Sequence, residues 1–321
     1  MADLSASQLQ LILAPMAGYT NHPFRLLCKK YGAGVVETEM VSAEGLCHGN
    51  KLTELLARVF DDERPAGIQL WGSDPKVMGD AAGIVCDAFA PDIIDINAGC
   101  PTSKVVLKGA GCALINDRER LCGMVKRVSD AVDGRAKVWV KTRLLPDASS
   151  MGDLAQSLKD AGANSLTLHA RVAFRERGYS APLREDIVKE VIAKDTGIPI
   201  VWNGGIRSPS EAQGVVGRTG CSGVMIARAA LGNPFVFSDE DGGLSRPWDD
   251  RVAAFREFVE LCKSDCIPFK DVKAHAVFFP KLVNGAARMR NEVCTAKSLD
   301  ELLSAFDFRV KSLKQAQDGL Q

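Results

Sequence analysis

The amino-acid sequence predicts an α/β protein: a (β/α)8 TIM barrel followed by a small C-terminal helical bundle domain. Eight short apolar runs alternate with amphipathic, helix-like segments between residues 11 and 230, which is the pattern of repeated strand–helix units. The apolar runs are nearly continuous, as expected for parallel strands covered by helices. Eight such units match the size of a closed barrel. A doubly wound sheet is the less favoured alternative, because no G-x-G-x-x-G motif follows the first strand.

The eight predicted strands cover residues 11–18, 35–40, 67–72, 93–99, 138–144, 165–171, 199–205 and 223–230. Two of the helices between them have clear start signals. Asp74 precedes Pro75, which predicts a helix cap followed by a proline in the first turn. The run from Ser208 to Glu211, with Pro209 at the first helical position, has the spacing of a capping box.

A charged, glycine-bearing stretch at residues 239–243 predicts a linker that separates a barrel over 1–240 from a helical domain over 246–321. Apolar residues at helical spacing predict a helix over 249–264. A second capping box at Ser298 and Glu301 predicts the start of a last helix. That helix carries one apolar face, formed by Leu302, Leu303, Phe306 and Val310.

Composition excludes several classes of protein. The 40 basic and 40 acidic side chains balance, so net charge does not indicate nucleic-acid binding, although a local basic face is compatible with a neutral total. None of the ten cysteines forms a Cys-x-x-Cys pair and the four histidines are dispersed, so we expect no metal site. The sequence shows neither an export signal nor an apolar run near the ~18 residues of a membrane span. We therefore expect a cytoplasmic protein with no membrane contact, and a monomer.

Polar or reactive residues end most of the predicted strands. In a barrel of this kind the C-terminal strand ends meet at one rim, where the chemistry gathers. Singly, His169 is explained as a hydrogen-bonded core histidine, Lys141 as a snorkelling side chain and Gln69 as a loop cap. Together they predict the floor of a pocket, because unpaired polar groups inside strands are unfavourable. The endings are Pro15-Met16-Ala17-Gly18, Glu39-Met40, Gln69, Asn97 with Cys100, Lys141 with Arg143, His169 with Arg171, Asn203-Gly204-Gly205 and Ala227-Arg228.

These endings also indicate a class of ligand. Small residues with accessible backbone N–H groups at 203–205, and a guanidinium at Arg228, are typical of the phosphate-binding corner of this fold. Gln69, Lys141 and His169 could donate hydrogen bonds to a planar, electron-rich ring, and a cation beside such a ring stabilises its reduced form. Cys100 lies between a glycine and a proline; alone it is better explained as a structural cysteine beside a turn, but the polar ends of most other strands favour a functional loop.

The chain resembles the bacterial tRNA-dihydrouridine synthases. The resemblance runs in order from residue 11 to about residue 237, with a weaker echo at 275–290. Its most specific part is Asn97-Ala98-Gly99-Cys100-Pro101 followed by Lys108-Gly109-Ala110-Gly111. The other matching stretches are Ala14-Pro15-Met16-Ala17-Gly18-Tyr19-Thr20, Thr38-Glu39-Met40-Val41-Ser42, Gln69-Leu70-Trp71-Gly72-Ser73, Val140-Lys141-Thr142-Arg143, Asn203-Gly204-Gly205-Ile206 and Ala227-Arg228-Ala229-Ala230-Leu231-Gly232-Asn233-Pro234.

The resemblance implies bound FMN, NADPH as the reductant and reduction of the uracil C5–C6 double bond in tRNA. It implies that Cys100 is the general acid that protonates C5 while reduced FMN delivers hydride to C6. The base must be turned out of the RNA stack to react. The residues implied to hold FMN are Pro15, Met16, Ala17, Gln69, Lys141, His169, Asn203, Gly204, Gly205, Ala227 and, on the phosphate, Arg228. The residues implied to face the target base are Asn97, Arg143 and Tyr179. The resemblance also implies that the barrel is the FMN-binding catalytic domain and that the helical segment is the tRNA-binding domain.

The chain departs from the family pattern at residues 144–146, where relatives usually carry a Gly-Trp-like pair, and after Tyr179, where only part of a Tyr-Ser-Gly segment remains. The helical segment is less basic than the family pattern. Its RNA-facing candidates are Lys270, Lys273, Lys281, Arg288 and Arg290.

Two other functions remain open. One is an FMN barrel that acts on a free pyrimidine, such as a dihydroorotate or dihydropyrimidine dehydrogenase, which would not need the helical tail. The other is a tRNA-binding protein that has lost catalysis, which is disfavoured because Cys100, Lys141, His169 and Arg228 are all present. The sequence does not specify which tRNA position is modified.

Overall fold

The computed structural model describes residues 9–173, 181–281 and 286–307. Eight parallel strands close into one barrel in chain order, and β8 (Gly223–Ile226) pairs with β1 (Gln10–Leu13). The predicted (β/α)8 barrel is therefore confirmed. The doubly wound alternative is wrong, because the pairing of the first strand with the last leaves no open sheet edge. The six strands between them are β2 (Val35–Ser42), β3 (Ala66–Trp71), β4 (Ile93–Ala98), β5 (Lys137–Leu144), β6 (Ser165–Val172) and β7 (Ile200–Asn203).

Three predicted strands were too long. The first, seventh and eighth strands end at Leu13, Asn203 and Ile226, and the residues that follow form loops. After β1 the chain forms a turn, in which Tyr19 N donates to Met16 O (2.9 Å). After β7, Gly204 (φ +116°) adopts a left-handed conformation that a strand cannot contain. After β8 a turn closes between residues 227 and 230.

Helices cover the outside of the barrel and build the C-terminal unit. Between the strands lie α1 (His22–Lys30), α2 (Ala43–Cys47), α3 (Lys51–Leu56), α4 (Pro75–Phe89), α5 (Ser103–Val106), α6 (Arg118–Val132), α7 (Ala148–Asp160), α8 (Glu185–Ala193) and α9 (Pro209–Thr219). After the barrel come α10 (Trp248–Ser264), α11 (Phe269–Ala276) and α12 (Ala286–Thr295). Short 3-10 turns occupy Asp61–Glu63, Gly111–Asn116 and Pro234–Phe237. Residues 299–307, at the end of the described range, are also helical. None of the helices in these ranges is long and apolar enough to span a bilayer.

The predicted helix starts are confirmed. Asp74 accepts hydrogen bonds from the backbone N–H groups at the start of α4, and Ser208 accepts from Glu211 N (3.0 Å) at the start of α9. The Glu211 side chain does not return to the N–H of Ser208; it accepts from Arg207 N, one residue earlier (2.8 Å). Ser298 likewise accepts from Glu301 N, while Val310 of the predicted apolar face lies outside the described residues.

The interior of the barrel is divided into an apolar base and a polar mouth. Side chains that point inward recur every second residue along a strand. Near the N-terminal ends of the strands, the inward positions form an apolar layer of Ile12, Ala14, Val35, Ile93, Trp139, Val201 and Met225. Two residues further along β2, β4 and β5 the inward positions are Glu37, Asp95 and Lys141. The base is therefore largely apolar, and the charged inward-facing groups lie closer to the mouth.

The C-terminal helices pack against α1. Phe24 of α1 meets Phe258 of α10 edge to face (6.5 Å between ring centroids) and His275 of α11 (4.8 Å). His22 Nδ1 lies 2.7 Å from Asp265 Oδ2, at the end of α10. The predicted linker at 239–243 is an ordered turn, in which the Asp241 carboxylate accepts hydrogen bonds from three following N–H groups.

Candidate active site

A cavity of about 1030 Å³ opens at the C-terminal ends of the barrel strands. Its lining contains every predicted site residue that the structure describes: Pro15, Met16, Ala17, Gln69, Asn97, Cys100, Lys141, Arg143, His169, Asn203, Gly204, Gly205, Ala227 and Arg228. Tyr179, the remaining predicted base contact, lies outside the described residues. The strands bring these residues together because parallel strands in register end at one rim. In the described part of the chain there is no cluster of acidic, histidine or cysteine side chains suited to a metal ion.

Cys100 is half-buried at the rim of this cavity, on a loop whose backbone is held on both sides. Asn97 Oδ1 accepts hydrogen bonds from Gly99 N (3.2 Å) and Cys100 N (3.0 Å). On the far side, Cys112 N donates to Cys100 O (2.9 Å). Arg143 Nε donates to Gly99 O (3.2 Å). The Cys100 thiol contacts Thr102 Oγ1 at 3.3 Å. The thiol position is therefore fixed by neighbouring strands as well as by its own loop.

A buried chain of hydrogen bonds connects the Cys100 loop to the barrel interior. Asn97 Nδ2 donates to Gln69 Oε1 (2.7 Å), and Gln69 Nε2 donates to Asp95 Oδ2 (2.6 Å). All three side chains are at most 8% exposed. Asn97 and Gln69, which the sequence suggested as ligand contacts, thus also hold each other and the cysteine loop in place.

Glu37 is a buried acid that sequence reasoning missed. It is fully buried beside Asp95, and neither its carboxyl oxygens nor Asp95 Oδ1 has another hydrogen-bond partner among the described residues. Burial and the neighbouring carboxylate raise the pKa of Glu37 well above its ordinary value, while Lys141 opposes that shift. Burial also lowers the pKa of Lys141, and Asp95 and Glu37 oppose it. Burial likewise raises the pKa of Asp95 to about 6, so the interior favours the neutral form of both carboxyls, while the nearby charge of Lys141 opposes both shifts. Alternation from the inward-facing Val35 was the sequence signal that could have identified Glu37.

His169 is a neutral hydrogen-bonding group. Arg171 Nη1 lies 3.0 Å from His169 Nε2. A guanidinium only donates, so Nε2 accepts and the ring proton is on Nδ1. Burial, followed by the charges of Lys141, Arg143, Arg171 and Arg228, lowers the pKa of His169 to about 2. The same charges give the cavity a positive field, which favours an anionic ligand.

The loop after β7 requires glycine. A Cβ on Gly204 would lie 2.9 Å from His169 Cδ2, and one on Gly205 would lie 2.7 Å from Leu183 Cδ1; both residues also have positive φ. Backbone N–H groups can therefore approach a ligand closely beside Arg228. Asn203 also has a structural task, since its Nδ2 donates to Met225 O (2.8 Å) and ties β7 to β8.

Other lining residues were not predicted as site residues. Met40 and Arg171 were among the predicted strand endings but were given no ligand role; Tyr19 of the barrel, and Phe278 and Lys281 of the C-terminal unit, were not predicted to line the pocket. Lys281 was predicted to face RNA, and no periodicity in the sequence indicated that this turn reaches the barrel mouth.

Comparisons with known proteins agree on one family. A family model described as dihydrouridine synthase (Dus) matches residues 12–319. A probable tRNA-dihydrouridine synthase of Treponema pallidum (strain Nichols) is 37% identical over 235 residues, covering 71% of this chain and 68% of that protein. The tRNA-dihydrouridine synthase B of Escherichia coli (strain K12) is 36% identical over 230 residues, covering 72% and 70%. A solved 2-naphthoyl-CoA reductase complex shares the fold alone, with a TM-score of 0.52 and 10% identity over 71% of this chain and 49% of that one.

Proposed function

Since this chain belongs to the dihydrouridine synthase family, we propose that it is an FMN-dependent tRNA-dihydrouridine synthase that uses NADPH. The reaction is the reduction of the C5–C6 double bond of a uridine in tRNA. The observation that carries the proposal is a cysteine with a fixed backbone at the rim of a positively charged cavity that is large enough for a flavin and a base. We assign residues 1–240 to the catalytic barrel and 246–321 to tRNA binding. That the enzyme is cytoplasmic and monomeric stays a prediction.

The residues of the cavity fit FMN. Gly204, Gly205 and Arg228 form an anion-binding corner, while Lys141 provides a cation deeper in the barrel. The residues proposed to hold the cofactor are Pro15, Met16, Ala17, Gln69, Lys141, His169, Asn203, Gly204, Gly205, Ala227 and Arg228. Bound FMN, once reduced by NADPH, supplies the hydride that reaches C6 of the uracil ring.

The chain itself supplies the proton and the geometry. Cys100 Sγ carries the proton that is given to C5, so that one hydride and one proton add across the double bond. Asn97 fixes the backbone N–H of Cys100 and faces the base together with Arg143. Lys141, which lines the cavity, would provide a cation that favours negative charge on a bound flavin. Because the reacting atoms belong to a base that is normally stacked, the substrate nucleotide must be extruded into the cavity.

The two alternatives are less well supported. A reductase of free pyrimidines would share the cavity, but the family membership and the presence of the C-terminal helices favour tRNA. A binding protein without catalysis would not need the combination of Cys100, Lys141 and the hydrogen-bonded chain beneath the cysteine loop.

Cys100→Ala tests the proposal, with Cys112→Ala as the matched control. Cys112 lies in the 3-10 turn after α5 and is fully buried outside the cavity lining, and its thiol donates to Gly99 O (3.0 Å). Burial raises the pKa of Cys112 to about 11. We expect Cys100→Ala to keep its flavin and the NADPH-dependent loss of flavin absorbance, but to lower dihydrouridine formation by at least ~10²-fold. Cys112→Ala should retain dihydrouridine formation.

Three results would contradict the proposal at different points. If Cys100→Ala formed dihydrouridine at the wild-type rate, Cys100 would not be the general acid. A purified wild-type protein without flavin absorbance would remove the cofactor. Unchanged dihydrouridine content in tRNA from a strain that lacks the gene, measured by nucleoside mass spectrometry, would remove the substrate.

A further inference from the structure

The C-terminal unit reaches the barrel cavity through one turn. Directly after α11, Phe278 N donates to His275 O (2.9 Å) and Lys281 N donates to Phe278 O (3.1 Å), which closes two consecutive turns. Phe278 and Lys281 both line the cavity that holds Cys100 and Arg228. The helical unit therefore contributes side chains to the site itself.

This turn is fixed against two barrel loops. His275 Nε2 donates to Tyr19 O (2.9 Å), and the rings of Tyr19 and Phe278 meet edge to face with centroids 5.5 Å apart. On the other side, Gly232 (φ +67°) lies so close that a Cβ there would be 2.3 Å from Phe278 C and 2.4 Å from Phe279 N. Gly232 thus permits the turn to pack on the loop that follows β8, four residues beyond Arg228.

The electrostatics of Lys281 point to an anion. Its ammonium is half-buried, lies 4.6 Å from the Phe278 ring centroid and donates a long hydrogen bond to Leu231 O (3.4 Å). In the described ranges, no carboxylate forms an ion pair with it. Burial and the charge of Arg228 both lower the pKa of Lys281. Two neighbouring cations that face one cavity are unfavourable unless an anion lies between them.

We propose that Lys281 binds the FMN phosphate together with Arg228, so that the cofactor joins the C-terminal helical unit to the barrel. This inference rests on the proposed function. It changes the division of labour expected from the sequence, in which the barrel alone holds FMN. An ammonium binds phosphate as a point charge, whereas a guanidinium adds paired hydrogen bonds, so the two side chains have complementary roles.

The test compares FMN with riboflavin, which has the same ring system but no phosphate. Dissociation constants are measured by flavin fluorescence on the full chain after flavin removal, for the wild type, Lys281→Met, Lys281→Arg and the control Lys270→Met. Lys270 is exposed on α11 and does not line the cavity. We expect Lys281→Met to weaken FMN binding roughly 10- to 100-fold, as for a lost charged hydrogen bond, and to leave riboflavin binding unchanged. Lys281→Arg should recover most of the FMN affinity, and Lys270→Met should match the wild type.

A second readout concerns the joining of the two units. FMN, but not riboflavin, should slow hydrogen exchange of backbone amides in residues 269–281 of the wild type, and Lys281→Met should remove that difference. If Lys281→Met fails to fold, Lys281→Gln takes its place in both measurements.

Each other outcome has a distinct meaning. Equal losses for FMN and riboflavin would overturn the phosphate assignment, since Lys281 would only shape the cavity. Unchanged FMN binding with weaker tRNA binding would overturn it in favour of a nucleic-acid phosphate. A wild-type protein that binds neither flavin would instead contradict the proposed function.

Discussion

At the scale of single residues, the position of the reactive thiol depends on side chains that do not react. The sequence identified Asn97 as a contact to the base, whereas in the structure its Oδ1 also accepts from the backbone N–H of Cys100 (3.0 Å). Its amide is in turn held by Gln69, and Gln69 by Asp95. Because Asn97 and Asp95 lie on β4 and Gln69 lies on β3, the cysteine loop is oriented by two neighbouring strands.

Glu37 leads to a prediction about pH and stability. The folded protein raises the pKa of this carboxyl above the ~4.3 of an unfolded chain, so folding takes up a proton. The contribution of Glu37 to the free energy of unfolding is therefore fully present below the pKa of the unfolded chain. It is lost as pH rises through the pKa of the folded protein, by up to ~1.4 kcal/mol per pH unit. Glu37→Gln, which keeps a hydrogen-bond donor without the ionisation, should gain stability relative to the wild type as pH rises from 5 to 8.

Urea unfolding at each pH measures this difference, with Glu119→Gln on the exposed face of α6 as the control. A stability difference between Glu37→Gln and the wild type that stays constant across the range would show that Glu37 remains ionised in the fold.

At the scale of elements, α11 depends on one buried histidine. His275 is fully buried between Phe24 and Phe258, and its Nε2–H donates to Tyr19 O. Its Nδ1 has no partner among the described residues. Burial lowers the pKa of His275 to about 4, partly opposed by the hydrogen bond to Tyr19.

This depressed pKa predicts acid sensitivity. The contribution of neutral His275 to the free energy of unfolding is present above the pKa of an unfolded histidine, ~6.5. It is lost as pH falls towards the pKa of the folded protein, and the loss reaches roughly 3 kcal/mol by pH 4. His275→Gln should therefore show a shallower loss of unfolding free energy between pH 7 and pH 4.5 than the wild type. His48→Gln, at an exposed site, is the control. Equal slopes in all three proteins would exclude His275 as the titrating group.

At the scale of the whole molecule, the basic residues of the C-terminal unit divide into two groups. Lys273 Nζ donates to Ala296 O (2.9 Å) within the unit, and Lys281 faces the cavity. Lys270, Arg288 and Arg290 are exposed on α11 and α12, which are in contact. A neutral total charge therefore still leaves exposed cations on this unit, of which Arg288 is also paired through its Nε with Glu292 Oε1 (3.0 Å).

We predict that replacing Lys270, Arg288 and Arg290 together with alanine weakens tRNA binding and flattens its salt dependence. Each lost phosphate contact should reduce the slope of log K against log salt by roughly 0.7–0.9, since fewer counterions are released. Lys273→Ala should instead lower thermal stability and leave the salt slope unchanged. Filter binding across a salt series decides the matter, and an unchanged affinity and slope in the triple variant would exclude this surface.

The sequence by itself determined the barrel, the order of its strands and most of the cavity lining. These features follow from local rules: alternation along strands, caps such as Asp74 and Ser208, and polar residues at strand ends that a closed parallel sheet brings to one rim. Local rules failed where a backbone dihedral decided the outcome, as at Gly204, whose positive φ ends β7 at Asn203.

Only the tertiary structure decided the long-range pairings. Glu37 lies beside Asp95 in the barrel interior. Lys281 lines the same cavity as Arg228, because Gly232 lets a turn of the C-terminal unit approach the loop after β8. Such contacts join residues far apart in the chain, and their geometry depends on how closely whole elements pack. The sequence shows that residue 281 is a lysine, but it does not show which side chains lie beside it, because the packing of whole elements decides that.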